Sequence, residues 1–338
     1  MNHMVLNCSV AALLAVAGVN PAAAQTAKAA AKAAWTMGHT ADGQPDLQGI
    51  WTNPTITPFE RPERLGNKAT MTEAEAAEME KQAAARSGED RTPRPGDVGS
   101  YNQAWLDSGT KVVGTRATSL VMEPADGRVP LTPLALAKHD YQLSHLADTW
   151  ENMSVWDRCI TRGVPGGMFP AGYNNAYQIV QSPGYVMILY EMIHEAHIIP
   201  LSTAGNPLKH MPGRVKQLNG DPVGHWEGNT LVVDITGFNG KSQIATSAAT
   251  GRIRSMPETE NLHVVERFTR VDADTINYEV RIEDPAMYAK PWKVQVPLSR
   301  DPDYQIYEYA CQEGNQAVGL ILKGGRADEA AAAAKAGK

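Results

Sequence analysis

Absent motifs narrow the chemistry first. Across 338 residues there is no P-loop, no G-x-S-x-G elbow, no dinucleotide-binding glycine fingerprint and no zinc-finger spacing. Kinase, α/β-hydrolase and nucleotide-dependent dehydrogenase readings are therefore disfavoured, and no motif calls for a cofactor. No Lys/Arg cluster interrupts a chain of formal charge −6. Nucleic-acid binding needs a concentrated positive field, so a nucleic-acid partner is not expected. Only 4 residues are Phe, against 29 Gly and 22 Pro, a balance that favours turns and irregular stretches over a helical bundle. Cysteine is scarce too, at Cys8, Cys159 and Cys311.

Residues 1–24 carry no charged side chain. An apolar run from Val10 to Val19 is followed by Pro21-Ala22-Ala23-Ala24-Gln25, a small-residue site of A-x-A type. The segment reads as a cleaved secretory signal, and its apolar run is too short for a membrane span. A periplasmic or secreted location follows as an expectation. Residues 25–34 and 327–338 are Ala/Lys-rich tails without a wide apolar stripe, expected to be mobile. Removal of the signal leaves Cys159 and Cys311, an even pair in an oxidising compartment, and predicts a disulfide between them. Two such ligands are too few for a metal site.

From Trp35 to Gly66 the chain is rich in Gly, Pro, Thr and Asn and reads as an extended, packed arm. Thr72-Glu73-Ala74-Glu75 is a capping box that predicts a helix to about Arg86, stopped by Gly88. A loop over Gly88–Gly99, a strand at Ser119–Met122 and a helix from about Pro133 to Trp150 complete an irregular, partly helical region over 35–150. Beyond it, 151–326 reads as β-rich. Eight short strands are predicted near Asn175–Gln181, Tyr185–Ile193, Glu195–Leu201, Thr230–Thr236, Leu262–Arg270, Thr275–Ile282, Trp292–Leu298 and Gln305–Tyr309. In Thr275–Ile282 the apolar Ile276, Tyr278, Val280 and Ile282 alternate with polar residues, so one face is dry and the other wet. An eight-stranded antiparallel, lipocalin-like barrel with room for one small ligand fits this pattern, a cystatin-like α+β sheet being the alternative.

Several segments carry a resemblance. Arg158-Cys159, Tyr173-Asn174-Asn175, Tyr177-Gln178-Ile179-Val180-Gln181, Gly224-His225-Trp226-Glu227-Gly228-Asn229-Thr230-Leu231-Val232-Val233-Asp234, Leu262-His263-Val264-Val265-Glu266-Arg267-Phe268 and Tyr307-Glu308-Tyr309-Ala310-Cys311 are the clearest. On these the chain resembles a family of uncharacterised exported bacterial proteins over nearly all of its mature length. The resemblance implies export and no particular activity. The chain departs from that pattern at His197, where the family usually has Arg, at Thr203-Ala204-Gly205-Asn206-Pro207, which replaces an Asp-Gly-Arg-Pro-His turn, and at Gln312, where the family has His.

His194-Glu195-Ala196-His197 invites a metal reading, but on a strand positions i and i+3 face opposite ways, and the H-E-x-x-H signature is absent. Acid–base chemistry suits the region better. Both alternating faces of Tyr185–His194 are largely apolar, so Glu191 or His194 is expected in a low-dielectric pocket that raises a carboxylate pKa and lowers that of an imidazole. Glu266 shares parity with Leu262, Val264 and Phe268 and is expected to face inward. Asp234 shares parity with Val232. The catalytic set read from sequence is His194, Glu266, Glu191 and Tyr173, with Arg158, Tyr177, Asp234, Trp292 and Tyr309 as substrate-binding residues. His225-Trp226-Glu227-Gly228-Asn229 is read as a turn with Trp226 plugging a barrel end. The expected function is a cofactor-independent lyase, dehydratase or isomerase acting on a small, largely apolar hydroxylated or aromatic molecule. A periplasmic binding or carrier protein for a hydrophobic small molecule is the rival.

Overall fold

A computed structural model describes residues 35–87 and 106–337. The expected signal at 1–24, the tail at 25–34 and the loop at Gly88–Gly99 lie outside the described residues. The sheet contains ten strands: β1 (Gly49–Thr52), β2 (Val121–Glu123), β3 (Ala176–Ser182), β4 (Tyr185–Tyr190), β5 (Glu195–Pro200), β6 (Asp221–Glu227), β7 (Thr230–Thr236), β8 (His263–Arg270), β9 (Thr275–Glu283) and β10 (Trp292–Arg300). Nine of them follow one antiparallel path, β5-β4-β3-β1-β10-β9-β8-β7-β6, while β2 pairs with β10. The path curls into a nearly closed barrel, and its two ends meet where Leu201 bridges Gly224 and the Ser202 amide donates to the Gly224 carbonyl at 2.7 Å. Glycine is favoured there, because a Cβ on residue 224 would stand 2.7 Å from Ile199 Cγ2 and 3.0 Å from Leu201 Cδ2, and those side chains would have to shift. From Thr36 onward the described chain forms one compact unit.

The barrel-like, mainly β architecture read from the periodicity is therefore present, with a different strand count. Seven of the eight expected strands occur. The eighth, Gln305–Tyr309, is a non-strand strap held in part by side chains, the Tyr307 amide donating to Glu191 Oε1 at 3.3 Å. Two further path members were read as something else. β6 contains the residues assigned to a turn and plug; Pro222 and Gly224 obscured its alternation, and both are tolerated because β6 lies at the seam. β1 comes from the expected arm, but it is inserted between β3 and β10, with Trp51 opposite Tyr177 on one side and Arg300 on the other. The N-terminal region thus supplies barrel wall as well as covering it.

Alternation does what the sequence implied. In β8, β9 and β10, buried and part-exposed residues alternate almost without interruption. The inward set includes Trp51, Phe268, Tyr278, Ile188, Val280 and Leu298, all essentially inaccessible to solvent. Burying each large side chain contributes roughly 1.5–3 kcal/mol.

Among the described residues three α-helices decorate the barrel. α1 (Glu73–Arg86) begins with the expected reciprocal box: Thr72 Oγ1 accepts from the Glu75 amide at 3.2 Å, and Glu75 Oε2 accepts from the Thr72 amide at 2.8 Å. α2 (Pro133–Ser144) is capped by Thr132, which accepts from the Ala135 amide, and ends six residues before the expected Trp150. α3 (Ala317–Ala336) includes most of the expected C-terminal tail, where a run of alanines gives continuous helix propensity. No helix among the described residues is long and apolar enough to cross a membrane.

Candidate functional site

Strand parity on β5 and β8 carries one imidazole and one carboxylate into the barrel. His197 on β5 lies between the outward Ile198 and Ala196, and it is opposite Ile188 of β4. Glu266 on β8 pairs with Val233 and Val280. Both are buried, Glu266 completely. Tyr278 Oη donates to Glu266 Oε1 at 2.8 Å. The other carboxylate oxygen, Oε2, faces His197 Nε2 at 4.0 Å, and neither atom has a hydrogen-bond partner among the described residues. Aromatic rings wall the pair in. Tyr190 stacks on His197 with centroids 6.4 Å apart, Tyr177 meets Tyr190 edge-on at 5.7 Å, and Phe268 tilts against Tyr278 at 5.0 Å.

Burial governs the protonation of this pair. Removal from water disfavours the charged form, so the Glu266 carboxyl is pushed up to about 7 despite the Tyr278 hydrogen bond, which acts the other way. The same desolvation pulls His197 down to about 4. At neutral pH the site therefore holds a neutral imidazole beside a carboxyl close to its own midpoint. A group with that pKa is suited to exchange a proton in either direction, and a neutral imidazole can donate a hydrogen bond to a substrate oxygen without carrying charge.

Of the catalytic residues read from sequence, only Glu266 lies in this cluster. His194 is exposed. The β4 strand stops at Tyr190, three residues before the sequence suggested, because Ile193 (φ 65°) and His194 (φ 45°) adopt the left-handed conformation in a tight reversal into β5. His194 Nδ1 sits 3.3 Å from the Tyr309 carbonyl, outside the barrel. Glu191 is buried, but beneath the strap: Tyr304 Oη lies 2.9 Å from both of its oxygens and Asn174 Nδ2 donates at 3.0 Å. Tyr173 and Tyr309 pack with Trp156 and Cys311 around Met192 and Ile193, in a small apolar cluster under that strap. The two histidines of His194-Glu195-Ala196-His197 are separated, His194 exposed in the reversal and His197 buried on β5, and no group of three or more His, Cys, Asp or Glu among the described residues is placed to hold a metal ion.

The substrate-binding set is likewise dispersed. Arg158 lies over the Trp150 ring, 5.5 Å from its centroid. Tyr177 does enter the barrel, donating to the Gly167 carbonyl at 3.1 Å and accepting from Asn53 Nδ2 at 3.0 Å. Asp234 is on the outer wall. There it joins His210 at 2.8 Å and His263 at 2.9 Å, and the hydrogen bond from His263 is the main reason its carboxylate lies below the usual range. Trp292 is fully buried core, edge-on to Tyr288 at 5.3 Å and Phe59 at 6.4 Å.

The departures from the resemblance pattern fall in three places. His197 becomes half of the buried pair. Gln312 donates to the Cys159 carbonyl at 2.9 Å, beside the Cys159–Cys311 disulfide, whose sulfurs lie 2.04 Å apart. Asn206 closes an exposed turn on Thr203. The residues missed as participants are His197, Tyr190 and Tyr278. Parity with Ile199 and Leu201 marked His197 as inward, and Tyr278 was already on the dry face of β9. Surface cavities of 340–560 Å³ occur elsewhere, and none is lined by the residues of the buried pair. No family model, curated protein or solved structure matches this sequence.

Proposed function

We propose that this protein is an exported, cofactor-independent acid–base enzyme, a lyase, dehydratase or isomerase, that acts on a small, largely apolar hydroxylated or aromatic molecule. Glu266 is the proton-transferring group, and His197, as a neutral imidazole, polarises a substrate oxygen. The observation that carries this reading is the pair of unpartnered atoms, Glu266 Oε2 and His197 Nε2, facing each other at 4.0 Å inside an apolar barrel. Buried polar atoms are normally satisfied, so an unsatisfied acid–base pair of shifted pKa marks a functional position. Export is supported by the joined Cys159–Cys311 pair, which belongs to an oxidising compartment.

The rival reading is carriage of the same kind of molecule without chemistry. Its support is the composition of the interior, where the buried Trp51, Tyr177, Tyr190, Phe268 and Tyr278 supply apolar rings and few polar groups. Glu266→Gln separates the two, since it keeps shape and a hydrogen-bond acceptor for Tyr278. Catalysis predicts a loss of turnover of ~100-fold or more with ligand binding retained. Wild-type protein that binds members of a panel of hydroxylated and aromatic probes without converting any would favour carriage, and unchanged turnover in the variant would remove Glu266 from the mechanism.

A further inference from the structure

A guanidinium buried without a counter-ion is costly enough that proteins rarely keep one idle. Arg162 is such a group. Its residue is 3% exposed, and among the described residues it forms no ion pair within 4.0 Å and its Nε has no hydrogen-bond partner. One face of the guanidinium lies over Trp156, 5.7 Å from the ring centroid. Tyr177, Tyr173 and Tyr309 are close enough to interact with it electrostatically. The nearest carboxylate is Glu195, but that group is engaged elsewhere, accepting from Thr161 Oγ1 at 2.6 and 2.8 Å, from Asn219 and from the Arg162 backbone amide.

The position connects to the barrel interior. A Cβ on Gly167 would lie 3.6 Å from Arg162 Cβ and 3.4 Å from Tyr190 Cε2, so Arg162 and Tyr190 flank the same short segment. Tyr190 in turn stacks on His197. On the other side, Tyr309 of the strap packs in the cluster that includes Trp156, the ring under Arg162, and the strap is fastened by Cys311 to Cys159, three residues before Arg162.

We propose that Arg162 is the receptor for a carboxylate on the ligand, and that the substrate class is a small organic monoanion with an apolar body. The inference rests on the proposed site in the barrel, to which Arg162 is linked through Gly167 and Tyr190. The planar guanidinium fork matches a carboxylate in bidentate fashion, and the tyrosines supply apolar rings with hydroxyl edges around it. A dianion such as phosphate fits less well, because the Glu195 carboxylate interacts electrostatically with the same guanidinium and would repel a second negative charge.

The test uses the full oxidised protein, with benzoate as the anionic probe and benzamide and inorganic phosphate as controls. Binding is read by calorimetry and by the ¹⁵N resonance of the Arg162 Nε–H group. Benzoate is expected to bind and to shift that resonance, with benzamide ~10-fold or more weaker. Arg162→Gln is expected to abolish the preference for benzoate, and Arg162→Lys to restore part of it. Equal binding of benzoate and benzamide, an unmoved resonance at saturating benzoate, or a folded Arg162→Gln protein that binds like wild type would each overturn the proposal. Tighter binding of phosphate than of benzoate would overturn the carboxylate assignment. Should Arg162→Gln fail to fold, the resonance in the wild-type protein still decides. Glu266→Gln separates the two proposals: full turnover in that variant with benzoate binding intact would refute the acid–base reading alone, whereas Glu266-dependent turnover of neutral molecules without benzoate binding would refute the anion receptor alone.

Discussion

Glu266 and His197 leave opposite signatures in the pH dependence of stability. The folded-state pKa of Glu266 is raised from 4.5 to about 7, so its contribution to stability is full below pH 4.5 and is lost as pH rises through 7. His197 is lowered from 6.5 to about 4, so its contribution is full above pH 6.5 and is lost as pH falls through 4. Each interval, at about 1.4 kcal/mol per pH unit, corresponds to about 3 kcal/mol. In the wild type the two slopes largely cancel between pH 4.5 and 6.5, and single substitutions separate them. Relative to wild type, Glu266→Gln is expected to gain about 3 kcal/mol between pH 4 and 8, whereas His197→Gln is expected to lose about 3 kcal/mol over the range from pH 4 to 6.5. Other buried acids, such as Glu195, cancel in these differences because every protein in the set contains them. The assay is urea unfolding of the three oxidised proteins at half-unit pH steps. Difference curves that stay flat within ~0.5 kcal/mol, or that slope the same way, would show that neither group is desolvated as described.

Two further outcomes follow from the wall and its fastening. Gly224→Ala places a methyl group against Ile199 and Leu201 at the seam, and should cost about 1–3 kcal/mol and speed amide exchange at Ser202, measured by urea midpoint and hydrogen exchange; an unchanged midpoint would mean that the seam is loose. Reducing the Cys159–Cys311 bond, which closes a loop of sequence separation 152, should lower stability by about 5 kcal/mol on the chain-entropy model, and a midpoint unaffected by reductant would refute that contribution.

Much of the barrel was legible because a half-buried strand writes its orientation into alternate residues. Thr275–Glu283 and His263–Arg270 show this plainly, and Glu266 could be placed inward from its neighbours alone. β6 escaped because Pro222 and Gly224 break the pattern, although a seam tolerates the proline and favours the glycine. β1 escaped for another reason, being four residues long and recruited by partners distant in sequence. The site was half legible. His197 and Glu266 each carry a local parity signal, but their convergence depends on how β5 and β8 are brought around the barrel, which no short window encodes. His194 was misplaced because an apolar run does not announce a left-handed reversal at two non-glycine residues.

The insertion of β1 also sets the order in which the barrel can form. β3 to β5 is one meander and β6 to β10 another, each built from neighbours in sequence, and along the main path the two are joined through the four residues of β1. Thr52 emerges from synthesis roughly 250 residues before Arg300, the end of the strand that must flank it, so the weld between the halves is the longest-range contact in the wall and its formation is slow relative to hairpin closure. Trp51, central in that short strand and fully buried, is therefore the residue on which cooperativity between the two meanders turns.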